Sequence, residues 1–451
     1  MANSKLERTS GASPTLRTKC AFSTWVKRST YDSIATIFGY SSGANENFSL
    51  RFEADGKIRW KEVNSGNTTI LELKTTSQFT DTTSWMHIYL TYDSTQVTSG
   101  DRCKMYINGT VQPSTYLTTE TQPSQDTESI MNGVSDAIKI GTYADSEYFE
   151  GGLAQLSFVD GSTPVVTSFG EFSSDTGEWI AKGTISGVTW GNNGFLLKLS
   201  NSSDMGEDTS GESNDFTTSG NLVQQNDSPD NQFPSLFADN MAQGTIQTKY
   251  CNKTSFNETD AWRTHFSVWG MDTHKWYFEV KVTIPAGKNN YVVVIQDQNV
   301  TGSAGSSYSQ IYMGAATTGV AANNSGEVYA NSVKIGDAGY DAWSDGDVIS
   351  CAVDLDNSKI YWGINSVWQN SGDPTSGATG TGAQALVATK LYFFGGSTYN
   401  STNNHNFGDG YFGYTKLTGT TYSDGNSRGT FKYTVPTGYK SLCAKNVQDH
   451  G

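Results

Sequence analysis

The sequence predicts an all-β protein, two antiparallel β-sandwich (jelly-roll) domains joined by a long surface linker. Three observations carry this. The chain has 451 residues, long for one domain and comfortable for two cores. Only 35% of it is hydrophobic, yet aromatics reach 12% and glycine contributes 47 residues, the balance of a turn-rich β protein. Wherever apolar residues show a period, that period is two and not 3.6.

In the first part, NFSLRFEADGKIRW sets Phe48, Leu50 and Phe52 on one face against Ser49, Arg51 and Glu53, turns at Asp55-Gly56, and returns through Ile58 and Trp60. WMHIYLTYD alternates Met86, Ile88, Leu90 and Tyr92 with Trp85, His87 and Tyr89, and CKMYINGT ends at Asn108-Gly109, a type I′ turn signal. The sequon Asn108-Gly109-Thr110 therefore reads as a turn, not a glycan acceptor. AIKIGTY and GGLAQLSFVDG complete a set of short strands with no helical segment between them.

Beyond Gly161 isolated aromatics alternate with polar stretches. Through GFLLKL the chain is expected to pack on the first sandwich as an added strand and strap, because Phe169, Phe172, Trp179, Phe195 and Leu197 would otherwise face water. Ser, Asp, Asn and Gly then dominate, predicting a connection over the surface. The expected division is 1–200 for the first sandwich with its strap, 201–245 for the linker and 246–451 for the second sandwich.

The second half opens on HKWYFEVKVTI, with Trp276, Phe278, Val280, Val282 and Ile284 inward and Lys275, Tyr277, Glu279 and Lys281 outward. DVISCAVDLDNSKIYWGINSVWQNS reads as a hairpin turning at Asp356-Asn357-Ser358. Ile349, Cys351, Val353 and Leu355 share a face with Ile360, Trp362 and Ile364, which assigns Trp362 to the core.

Composition excludes several functions. A net charge of −15 and the lack of a Lys/Arg cluster speak against nucleic acid. No apolar run of membrane length occurs, so no membrane insertion is expected, and the first twenty residues lack the apolar core of a secretion signal. The five cysteines (Cys20, Cys103, Cys251, Cys351, Cys443) are scattered and include no C-x-x-C pair, which predicts buried thiols and neither disulfides nor zinc. The histidines lie far apart and no H-E-x-x-H or G-x-S-x-G motif is present.

The ordered segments FSTWVKRS, DTTSWMHIYLTYDSTQ, DRCKMYINGTVQ and IKIGTYADSEYFEGGLAQLSFVDG, covering about residues 15–165, resemble a laminin-G-like, concanavalin-A-type jelly-roll in the form common in tailed-phage virion proteins. GEDTSGESNDFT resembles the bridging sequence of the same proteins. KWYFEVKV, the Asp347–Pro374 hairpin, LYFFGGSTYN and GTFKYTVPTGYKSLCAKN, over about residues 246–446, are similar to a SPRY domain. The first resemblance implies a concave sheet in a superfamily that often binds sugars. Some members hold calcium through loop Asp and Asn residues, but no such site matches here residue by residue, so metal is left unassigned. Its hydrolases carry E-x-D-x-x-E on one strand, which this chain lacks, and no enzyme is expected.

SPRY domains bind through loops, and the aromatics that suit a sugar platform there are Tyr340 and Trp343 in GYDAWSDGD and Tyr399 in STYNSTNN. Trp368, after the Asn365-Ser366 turn, reads both as a packed strand residue and as a contact. The resemblances together imply a virion surface protein made in the host cytoplasm, a tail-fibre or receptor-binding component recognising host surface glycan. The alternative is a head decoration, knob or fibre protein with an architectural role. Expected partners are other virion proteins, copies of itself in the particle, and host glycan. No cofactor is implied.

Overall fold

The computed structural model describes residues 4–41, 46–133, 137–174, 177–236, 247–249, 254–256, 262–296, 319–330, 333–336 and 339–450. The chain divides into two compact units, Met1–Gln224 and Gln225–Gly451. Strand is the dominant element in both, and Ala444–His450 is the one α-helix among the described residues. No helix among these residues is long and apolar enough to cross a membrane.

In the first unit one sheet runs in the order Leu117–Thr121, Thr69–Thr75, Ile58–Val63, Asn47–Phe52, Ala35–Ser41, Ala137–Ile140, Lys5–Thr9, Thr217–Ser219. The other runs Phe195–Leu197, Gly151–Asp160, Lys19–Arg28, Met86–Asp93, Cys103–Ile107, Thr110–Val111. The inward residues of both meet in one core, where Phe22 stacks on Phe38 with centroids 4.4 Å apart. Each such ring taken fully out of water contributes about 1.5–3 kcal/mol. Asn108 and Gly109 have φ of 46° and 74°, the left-handed pair that a two-residue hairpin turn needs.

The second sheet is covered on its outer face as well. Phe169, Trp190 and Leu196 pack on Ala21, Tyr89 and Val159, and Trp179 packs on Trp25. This is the predicted strap, and Phe195–Leu197 pairs with Gly151–Asp160 as its added strand. Phe172 departs from expectation at 56% exposed, turning one edge onto Trp179.

The polar stretch expected as a surface linker is largely folded onto the two units. Phe216 is buried in the first core, and Thr217–Ser219 pairs with Lys5–Thr9. Asp208 ties this segment down, its Oδ1 accepting the Leu196 N–H and its Oδ2 the Asn214 N–H, both at 2.8 Å. Phe233 and Leu236 belong to the second core. Composition hid this because side chains that solvate a linker also close tight turns through their own carboxylates and amides.

In the second unit Lys275–Thr283 lies between Thr402–Asn406 and Val348–Asp354, which continues into Lys359–Ile364 and Val367–Trp368. The predicted hairpin register is present: Ile349, Cys351 and Val353 face Ile364, Trp362 and Ile360. A second sheet orders Trp262–Met271, Tyr392–Tyr399, Asn289–Gln296, Gly319–Asn323, Val328–Ala330 and Val333–Gly336. Tyr277 and Glu279, expected outward, are buried at 1% and 0% because Phe431, Val435 and Tyr439 of the C-terminal segment cover that face.

Each unit buries one glutamate that holds a returning loop. Glu62 accepts the Ile130 N–H at 2.7 Å and the Ser129 hydroxyl at 2.9 Å. Glu279 accepts the Lys432 and Tyr433 N–H groups at 2.8 Å each. Burial lifts both carboxyls to about 7, with these hydrogen bonds opposing the rise. Cys20, Cys103, Cys351 and Cys443 are free and buried, and Cys251 lies outside the described residues.

Candidate functional site

The four aromatics chosen from the sequence fall into different surroundings. Trp343 is 4% exposed, packs in the second core, and donates its indole N–H to Asn290 Oδ1 at 2.9 Å. Asn290 in turn donates to Asn403 Oδ1 at 2.8 Å. The Trp343 ring is therefore a wall of the core and offers no face to a sugar, because a buried amide pair supplies the partner that its N–H needs. Tyr340 is half-buried, edge-on to Trp362 at 6.2 Å, with its hydroxyl accepting from Gln384 Nε2 at 3.2 Å. Trp368 is half-buried against the Tyr277–Tyr361 cluster. Tyr399 is half-buried with Lys288 Nζ 5.9 Å from its ring centre.

The Asp341 N–H donates to Gln369 Oε1 at 2.8 Å, which joins the segments that carry Tyr340 and Trp368 without a contact between the two rings being formed by it. The Trp343 backbone N–H donates to the Asn324 carbonyl, and the Asn324 side-chain amide donates to the Lys288 carbonyl, which ties the Trp343 loop to the residue whose ammonium lies near Tyr399. No single platform of Tyr340, Trp343 and Tyr399 results.

A cavity of about 330 Å³ lies at one end of the first sandwich, a place no motif marked. Val26 and Arg28, at the end of the strand Lys19–Arg28, form its floor together with Met86. Gln78, Phe79, Thr80, Asp81, Ser84 and Trp85 come from the loop ahead of Met86–Asp93, and Asn108 from the hairpin turn. Local chemistry fixes each wall. Asp81 Oδ1 accepts the Thr83 N–H at 2.7 Å and its hydroxyl at 2.6 Å, closing the loop into a turn. Asn108 Oδ1 accepts the His87 N–H at 2.8 Å. Trp85 leans over Gly152, where an added Cβ would come within 2.7 Å of the indole, so the bare backbone lets the ring settle there.

Arg28 gives this cavity its charge. It stands in phase with Cys20, Phe22 and Val26, on the inward face of its strand, and is 2% exposed. Its guanidinium carbon sits 4.1 Å from the centre of the Phe52 ring, and Nη1 donates to the Phe79 carbonyl at 2.9 Å. Nε and Nη2 are buried with no hydrogen-bond partner. Leaving such groups unpaired costs about 1–3 kcal/mol each, so the arrangement favours any oxygen acceptor that reaches them. Burial lowers the guanidinium to about 10, with the nearby Asp32 charge opposing, and it stays a cation at neutral pH. Burial raises the Asp81 carboxyl while hydrogen bonds from Thr83 and Ser84 more than offset this, leaving it below the usual range and ionised. Among the described residues no group of three or more His, Cys, Asp or Glu side chains is placed to hold a metal ion.

The signal that could have found the cavity is parity: a charged residue in register with an apolar strand face must reach a partner, a ligand or an opening. Its other walls come from segments some 50 to 80 positions further along the chain, which a local pattern does not join.

Residues 7–163 match a family described as the Concanavalin A-like lectin/glucanases superfamily, so the cavity lies within the matched stretch of the first unit. Comparison with curated proteins finds no match. Among solved structures, the SPRY domain of human HERC1 is similar at 11% identity, with 34% of this chain and 87% of that chain covered and a TM-score of 0.24. Domain 4 of AbnA, a GH43 extracellular arabinanase from Geobacillus stearothermophilus in complex with arabinotriose, is similar at 19% identity over 35% of this chain and 66% of that chain, TM-score 0.26. The CBM40 of the Ruminococcus gnavus IT-sialidase, bound to alpha2,3 sialyllactose, is similar at 14% identity over 31% and 73%, TM-score 0.24. Likenesses this partial stop short of a common overall architecture. What the chain itself defines is a nearly all-β protein whose first unit is a jelly-roll-like sandwich carrying the stretch that matches that superfamily.

Proposed function

We propose that this protein is a non-catalytic glycan-recognition component displayed on a tailed-phage virion, in a tail fibre or receptor-binding assembly with other virion proteins and copies of itself. The observation that carries the recognition is the cavity of the first unit. It joins the Trp85 and Phe79 rings, exposed amide and hydroxyl groups of Gln78, Thr80 and Asn108, and the unpaired N–H groups of Arg28, all inside the stretch that matches a lectin/glucanase superfamily. Aromatic rings suit the C–H faces of a pyranose, amides and hydroxyls suit its hydroxyl groups, and the volume falls in the range of small-ligand sites.

Asp81 is the one carboxylate among the lining residues, where glycoside hydrolysis uses two, and this supports binding without cleavage. The virion placement rests on the ordered segments that resemble phage structural proteins. Burial of Trp343 favours an architectural role for the second unit.

The test is a glycan array with the full chain, including host lipopolysaccharides and capsular glycans. Binding that is lost in Trp85→Ala and kept in Tyr399→Ala is expected, and a chain that binds no glycan overturns the recognition reading. Immunogold labelling of particles checks placement: label at the tail tip is expected, and label on the capsid lattice would establish the head-decoration alternative instead.

A further inference from the structure

Resting on the glycan reading of the cavity, we infer that the sugar it takes is acidic: its ligand presents a carboxylate, as a uronic or nonulosonic acid does, to the Nε–Nη2 edge of Arg28. The geometry of a guanidinium makes that edge special. Nε–H and the Nη2 hydrogen on the same side point out nearly parallel, matching the spacing of two carboxylate oxygens, so this edge is the one that grips a carboxylate bidentately. In this protein both nitrogens of that edge are without a partner, while Nη1 is held by the Phe79 carbonyl at 2.9 Å and the plane rests on Phe52. The fork is thus fixed in position, and the buried edge that reads anions has no partner within the protein.

The remaining lining fits such a ligand and not a bare ion. A small inorganic anion would satisfy Arg28 but leave about 330 Å³ and the Trp85 and Phe79 rings unused. Asp81, the lining carboxylate, is engaged by Thr83, and the carboxylate whose charge acts on Arg28 is Asp32, outside the lining. Among the described residues no internal counter-ion occupies the fork. A chain of net charge −15 repels acidic polymers at long range, so a buried cation in a shaped cavity is the kind of place where an acidic sugar can be bound selectively.

The experiment is titration calorimetry on the full chain at physiological salt with four probes: methyl glucuronide, its methyl ester, methyl glucoside, and sodium sulfate. The ester keeps the ring and removes the charge, so the decisive comparison needs no mutant. Binding of the glucuronide at least about tenfold tighter than that of the ester or the glucoside is expected, with sulfate competing weakly. Arg28→Lys, a point charge without the fork, should lose about tenfold for the glucuronide and distinctly less for the glucoside, with circular dichroism confirming the fold. Equal binding of glucuronide, ester and glucoside, all lost in Trp85→Ala, would overturn the acidic preference and keep the glycan site. Sulfate binding as tight as the glucuronide would make this an anion site only and overturn the inference. No heat with any sugar while the array is positive overturns it too, by placing recognition elsewhere.

Discussion

At their loop ends the two units treat aromatic and polar groups in opposite ways. In the second unit the indole N–H of Trp343 is taken by Asn290 and the hydroxyl of Tyr340 by Gln384, so the aromatics that looked most like a platform are structural. In the first, Trp85 lines an opening, and Arg28 is buried with two nitrogens unpaired. The difference teaches how to separate a sealed end from a receptive one. Loop aromatics occur in both, and what distinguishes them is whether the polar atoms beside the rings already have partners.

The largest effect that tests this contrast is Trp343→Ala. It should cost about 3–5 kcal/mol, as truncation of a buried aromatic does, and leave a buried Asn290–Asn403 pair short of a donor. Chemical denaturation followed by fluorescence should show the second unit unfolding early, with glycan binding intact; loss of binding in a folded Trp343→Ala protein would erase the contrast.

Next in size is the pH response of the buried glutamates, a feature the two units share. Both are lifted from 4.5 to about 7. Below 4.5 folded and unfolded states are both protonated and the contribution is complete. Between 4.5 and 7 the unfolded chain loses its proton first, so stability falls by about 3 kcal/mol for each glutamate and levels off above 7. Urea midpoints for wild type against Glu62→Gln and Glu279→Gln, at pH 5 and pH 8, should show a smaller pH difference in each variant. An unchanged difference in one variant would mean that the two units do not use their glutamates alike.

A smaller effect is expected at the wall of the cavity. Gly152→Ala places a methyl group 2.7 Å from the Trp85 ring, which must swing away. Glycan affinity should drop several-fold with a change in stability of about 1 kcal/mol. Smallest is Tyr399→Ala, which removes a ring 5.9 Å from Lys288 and should shift stability by about 0.5–1 kcal/mol with no change in binding. A clear loss of binding there would return recognition to the second unit.

Much of the fold was legible because a two-residue period leaves few alternatives: the register of Cys351 against Trp362 and the Asn108-Gly109 turn follow from it directly. What the period does not report is a second covering layer. Glu279 and Tyr277 alternate outward correctly, yet a C-terminal segment some 150 residues away lies over them, and no local pattern announces it. Trp343 was misjudged for a related reason, since a loop aromatic is placed by its distant partner and not by its neighbours in sequence. The cavity was missed although a signal was visible in the sequence, the phase of Arg28 with Phe22 and Val26, which points a charged side chain inward.

The pairing of Thr217–Ser219 with Lys5–Thr9 has a consequence for how the chain is made. The first strand of the unit leaves the ribosome well before its last neighbour, which is synthesised roughly 200 residues later, about 10–40 s at ordinary rates. Arg8 waits with it, for its guanidinium donates to Asn214 Oδ1 and to the Asn193 carbonyl, both late arrivals. During that interval one edge of the nascent sheet is open to any other extended chain nearby, including the next copy on the same message. Closure by Thr217–Ser219 is therefore a finishing step, and the polar segment that carries it acts as a timed cap on an adhesive edge.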